Sequence, residues 1–179
     1  MRRNFIYAAV VLTAALAATA GSSALAQDGT SGSNHVTARL NGFQENPSIV
    51  TTGKGTLDLR IDDEAETIEY ELTYSDLEGG AASAAHIHIA SRGVNGGVSA
   101  FLCGGSAPPC PGTGGTVSGV ITPGNVVGPA AQGVDPGEFD DLVRAIRAGH
   151  TYANVHNAKW PGGEIRGQIN NNNQRQFER

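Results

Sequence analysis

Between His35 and Ile169 apolar and polar residues alternate in short runs with a period of two. Val36, Ala38 and Leu40 alternate with Thr37, Arg39 and Asn41. Leu57, Leu59 and Ile61 alternate with Thr56, Asp58 and Arg60, and Ile68, Tyr70, Leu72 and Tyr74 with Glu69, Glu71 and Thr73. Successive side chains of a strand point to opposite faces, so such alternation predicts half-buried antiparallel strands over 35–43, 54–61 and 66–74. Asp62-Asp63-Glu64 between the last two reads as a hairpin loop. Shorter runs at 84–90, 98–102, 116–121, 151–156 and 164–169, separated by Gly, Pro, Asn and Asp, bring the predicted strands to eight. The fold class expected is all-β, an antiparallel β-sandwich or barrel.

One segment departs from that period. Phe139, Leu142, Val143 and Ile146 recur at helical spacing. Asp135 stands before them as a candidate N-cap, Pro136 as the first helical residue, and Gly149 where the helix should stop. One short helix over about 137–148 is expected, its apolar stripe packed on the sheet. Gly104–Pro136 carries many Gly and Pro and one weak strand, which predicts a long irregular excursion.

The two ends read differently. Arg2 and Arg3 precede a nearly continuous apolar run from Phe5 to Ala20, and Ala24-Leu25-Ala26 forms a small-x-small cleavage site before Gln27. That is the layout of a secretory signal peptide over 1–26; an uncleaved anchor is the alternative. Residues 27–34 read as a flexible leader, 35–170 as the domain, and 171–179 as a disordered tail. The expected location is secreted or periplasmic, with no membrane span after cleavage. Removing 1–26 takes away two Arg and no acid, leaving 10 basic against 17 acidic residues. That balance argues against a nucleic-acid partner. The two cysteines, Cys103 and Cys110, sit in one Gly/Pro loop. In an oxidising compartment they most simply bridge each other; a two-thiolate metal site is the alternative.

The five His carry the candidate chemistry. In Ala85-His86-Ile87-His88-Ile89 the pleat puts His86 and His88 on one face, with the two Ile on the other. In 151–156, Ala153 and Val155 read as core, so Tyr152, Asn154 and His156 share the opposite face. If these strands are neighbours, three imidazoles converge on one outer surface and could chelate copper or zinc. Ordinary hydrogen-bonded His are the plainer reading. If His156 faces Glu164 in the last hairpin, Asn154 faces Arg166 and Tyr152 faces Gln168. Arg166, with Tyr152 and Asn154, is then a candidate contact for an anion or other ligand; pairing with Glu164 is its plainer role. No Gly-x-Ser-x-Gly, Walker or dinucleotide pattern is present, and no catalytic residue is assigned.

Four blocks in this order resemble the CHRD domain, the module named after its repeats in chordin: Ala-Arg-Leu-Asn-Gly-Phe-Gln-Glu-Asn-Pro (38–47), Ala-His-Ile-His-Ile-Ala-Ser-Arg-Gly-Val-Asn-Gly-Gly-Val (85–98), Ala-Ile-Arg-Ala-Gly-His-Thr-Tyr-Ala-Asn-Val-His-Asn (145–157) and Pro-Gly-Gly-Glu-Ile-Arg-Gly-Gln-Ile (161–169). The resemblance implies a β-sandwich or barrel, secretion, and binding, of an extracellular ligand or a metal ion, rather than proven catalysis. A weaker likeness of layout is to copper/zinc superoxide dismutase, which also places an HxH on one strand, a late His and an Arg near the C-terminus. His86, His88, His156 and Arg166 match it. No His lies between Ile89 and Gly149, so the zinc-loop and bridging ligands of that family are missing, and a fourth copper imidazole would have to come from His35 or His150. Three functions follow as alternatives: a binding module with a three-His copper or zinc site, a copper redox enzyme of dismutase type, and a structural extracellular protein without metal.

Overall fold

A computed structural model describes residues 34–169. The signal peptide, most of the leader and the tail expected from the sequence lie outside the described residues. Eight strands form: β1 (His35–Asn41), β2 (Lys54–Asp62), β3 (Thr67–Ser75), β4 (Ala82–Ile89), β5 (Gly97–Cys103), β6 (Gly115–Ile121), β7 (Thr151–Asn157) and β8 (Ile165–Ile169). They join in one antiparallel sheet in the order β5-β4-β7-β8-β1-β2-β3-β6. The sheet curls into a nearly closed barrel. Across the seam between its edge strands, the Tyr70 hydroxyl donates to the Leu102 carbonyl at 2.8 Å, and the Val127 N–H donates to Ser99 O at 2.8 Å.

The apolar alternates from the sequence fill the interior. Val36, Leu40, Leu57, Leu59, Ile68, Leu72, Ile87, Leu102, Val155 and Ile165 form one buried cluster, which Phe139, Leu142, Val143 and Ile146 of the helix join. This is the β-fold the alternation predicts, with strand ends within two residues of expectation.

The helix, α1 (Phe139–Arg147), starts later than the sequence suggests. Gly137 takes φ +93°, which helical backbone does not adopt. Asp135-Pro136-Gly137-Glu138 is therefore a turn, closed by the Glu138 N–H to Asp135 O at 3.0 Å, and Asp135 does not cap the helix. The C-terminal stop holds: Gly149 N–H bonds Ile146 O and His150 N–H bonds Ala145 O.

Cys103 and Cys110 are joined by a disulfide. It ties off the start of the irregular excursion, which is docked by the Ala82 N–H to Gly112 O at 2.8 Å and by the Tyr74 hydroxyl to Pro111 O. Among the described residues no helix is long and apolar enough to cross a membrane.

Candidate metal centre

The condition attached to the three His is met, because β4 and β7 are paired neighbours. His86 stands opposite Asn154, His88 opposite Tyr152, and Ala84 opposite His156. All three imidazoles lie on the side of the sheet away from the barrel interior, as the period-two argument requires. Their ligand atoms lie within 4.8 Å of one another. His86 Nδ1 is 3.0 Å from His156 Nε2, and the ring centroids of His88 and His156 are 6.0 Å apart. A zinc or copper ion bonds imidazole nitrogen at about 2.0–2.1 Å. The widest separation would therefore close by a small inward rotation of the rings.

Two hydrogen bonds fix which nitrogen faces inward. His88 Nδ1 lies 3.0 Å from the Gly96 carbonyl, and His156 Nδ1 lies 2.9 Å from the Pro161 carbonyl. A carbonyl oxygen only accepts, so in each ring Nδ1 carries the proton and Nε2 the lone pair. The Nε2 of His88 is buried and has no protein partner. A carbonyl on the distal N–H is the usual device that sets the tautomer of a metal-binding imidazole.

The surroundings keep the rings neutral. Burial pushes His86 down to about 3, helped by the neighbouring His156 and His88. Burial likewise takes His88 to about 4, against an opposing hydrogen bond to Gly96, and lowers His156. Neutral imidazole is the form that binds metal.

This face differs from the sequence picture in one respect: it is covered. Asn154 and Arg166 are each only 2% exposed. The segment after β1 and the β4–β5 loop lie across β7 and β8. Arg166 reaches them with Nη1 to Asn95 Oδ1 at 3.0 Å and Nη2 to the Val94 carbonyl at 2.5 Å. Asn95 in turn donates to Asn46 O at 3.2 Å, and Gln168 Nε2 donates to the Ala90 carbonyl at 2.9 Å. The Arg166 guanidinium lies 3.5 Å over the Tyr152 ring. Tyr152 stacks parallel on His88, 4.7 Å between centroids, and Phe101 packs edge-on against His86 at 4.6 Å.

The predicted cross-strand pairs Asn154–Arg166 and Tyr152–Gln168 form. Glu164 is not the partner of Arg166. It is fully buried on another side, accepting from Thr51 Oγ1, the backbone N–H groups of Glu78 and Gly79, and Asn157 Nδ2. The carboxylate near Arg166 is instead Glu45, which no spacing argument singled out. It is buried, and burial raises it to about 7 despite the opposing pull of Arg166 and of the Asn46 and Asn154 N–H groups beside it. Glu45, Arg166, Gln168, Arg92 and Phe43 line a pocket of about 410 Å³.

The other two histidines do not join. His35 Nε2 pairs with Asp58 at 2.8 Å, and His150 Nδ1 meets Ser91 Oγ at 3.1 Å. Among the described residues the His86, His88 and His156 group therefore has no fourth imidazole.

No curated protein and no solved structure matches the chain. The family model of the CHRD domain matches residues 36–169, a span that holds all eight strands but for the first residue of β1, the helix and the three-His cluster. On that match over most of its length, the chain belongs to the CHRD-domain family.

Proposed function

We propose that this CHRD domain is a secreted or periplasmic, non-catalytic binding module whose centre is a copper or zinc site formed by His86, His88 and His156. The observation that carries the reading is the fixed pair of tautomers. His88 and His156 spend their only N–H on backbone carbonyls, so two unprotonated Nε2 atoms face a common point beside His86. His156 Nε2 lies 3.0 Å from His86 Nδ1, but His88 Nε2 is buried without a protein partner; an unpaired buried acceptor is costly, and a cation relieves that cost. Tyr152 and Arg166 back the site in this reading: the stack of guanidinium, phenol and imidazole holds the His88 ring in place. Export rests on Arg2, Arg3, the apolar run from Phe5 and the Ala24-Leu25-Ala26 site, with the Cys103–Cys110 bridge suited to an oxidising compartment.

The test is calorimetric titration of Cu(II) and Zn(II) into chelator-treated protein, comparing wild type with His86→Ala, His88→Ala and His156→Ala. The wild type should bind one ion, and each substitution should weaken binding by at least tenfold. Equal affinity in all four proteins, or none in the wild type, would return these His to a structural role. Intact mass of the exported protein should place its N-terminus at Gln27.

A further inference from the structure

Asn154 stands opposite His86 across the β4–β7 pair, and its amide has a fixed orientation. Nδ2 donates to the Gly162 carbonyl at 3.2 Å. That carbonyl accepts and cannot donate, so the nitrogen is the end that points there. The other end, Oδ1, lies 2.8 Å from His156 Nε2. His156 spends its proton on Pro161 through Nδ1, so Nε2 carries a lone pair, which His86 Nδ1 also approaches at 3.0 Å. An amide oxygen and an unprotonated imidazole nitrogen at that distance repel each other. A cation bound to both turns the repulsion into attraction.

We propose that Asn154 Oδ1 is a fourth donor to the metal, completing an N3O set with His86, His88 and His156. The inference rests on the metal reading above and adds a ligand to it. Four donors, three imidazoles and one oxygen, match the tetrahedral preference of zinc and lie within the range copper accepts.

Glu45 is the positioning residue for this ligand. Its Oε1 and Asn154 Nδ2 both press on Gly163: a Cβ built there would lie 2.5 Å from the first and 2.6 Å from the second. The carboxyl therefore sits at the amide's nitrogen end and favours turning the oxygen toward the imidazoles. Gly163, with φ +123°, lets the β7–β8 turn pass beneath both side chains.

The experiment titrates Zn(II) and Cu(II) into chelator-treated, exported protein as wild type, Asn154→Leu, Asn154→Asp and His88→Ala, with Cu(II) electron paramagnetic resonance spectra of each. Asn154→Leu should weaken Zn(II) binding about ten- to a hundredfold and alter the Cu(II) spectrum. Asn154→Asp, which keeps an oxygen donor, should bind at least as tightly as wild type. Wild-type affinity and an unchanged spectrum in Asn154→Leu, alongside lost binding in His88→Ala, would overturn the fourth donor and leave the three-His site standing. No binding by the wild type would remove both. If Asn154→Leu does not fold, folded Asn154→Asp decides: weaker binding than wild type overturns the proposal.

Discussion

Removing the charge of Glu45 should stabilise the metal-free protein at neutral pH and not at acid pH. Glu45 is 7% exposed. Burial lifts it from 4.5 to about 7. The folded protein therefore holds a proton between those values that the unfolded chain releases. By linkage, the stability this proton supplies is fully present below pH 4.5 and is lost as pH rises through 7. At 1.36 kcal/mol for each pH unit, ionising Glu45 costs the native state about 3 kcal/mol above pH 7. Glu45→Gln stays neutral throughout, so its stability relative to wild type should climb by up to that amount between pH 4 and pH 8. Any fixed difference in hydrogen bonding cancels in that comparison. Urea unfolding of both proteins at the two pH values, with chelator present, measures it. A difference that is flat with pH, or that falls toward pH 8, would mean that Glu45 ionises freely and that Arg166 compensates it in full.

The His cluster should act in the opposite sense: with folded values near 3 for His86 and 4 for His88, both below the ordinary 6.5, the stability of metal-free protein falls as pH drops from 6.5 toward those values. Replacing His88 by Phe, which can keep the stack on Tyr152, should flatten the acid limb of the urea profile, and an unchanged limb would show that His88 does not resist protonation. Gly163→Ala should destabilise by about 1–3 kcal/mol, since it meets both a positive φ and two buried polar side chains, and should weaken metal binding as well; thermal melting and titration report the two losses. Glu164→Ala strips the acceptor from Thr51, Glu78, Gly79 and Asn157 and should cost about 3 kcal/mol or more, whereas a near-neutral melting shift would place that carboxylate in contact with water. Cys103→Ser with Cys110→Ser opens the short loop joined by the disulfide and should cost about 2 kcal/mol, with far-UV circular dichroism retained.

The barrel was legible in the sequence because its signal is local. Alternation at period two names the face of every residue in a strand, and it placed Val36, Leu57 and Ile68 inside. It also placed His86, His88 and His156 on one side. Where backbone leaves the extended region, the period stops carrying information. Gly137 turns the chain and delays the helix to Phe139. Gly163 likewise precedes a bend at Glu164, so that residue no longer follows the strand parity that would have set it beside Arg166.

The burial of the outer face was harder to read, because it depends on segments distant in sequence. Alternation assigns polar positions to water by default. Yet Tyr152, Asn154, Arg166 and Gln168 are all buried, covered by the segment around Glu45 and the loop around Asn95. A residue-level signal for this existed: the strand positions facing away from the core carry Asn, Gln and Tyr beside the Arg, where a solvated face usually carries Lys, Glu and Thr. Amides and phenols can donate or accept at fixed angles, which is what a covered polar layer needs if every buried group is to find a partner. The same cover turns a solvated surface of histidines into a partly buried cluster, with His88 buried and two tautomers set. In water, His88 Nε2 and Asn154 Oδ1 would each take a hydrogen bond from solvent. Beneath the loops His88 Nε2 has no protein partner, while Asn154 Oδ1 lies against His156 Nε2, so acceptors that the period aligned are parted from water by loops that the period could not see.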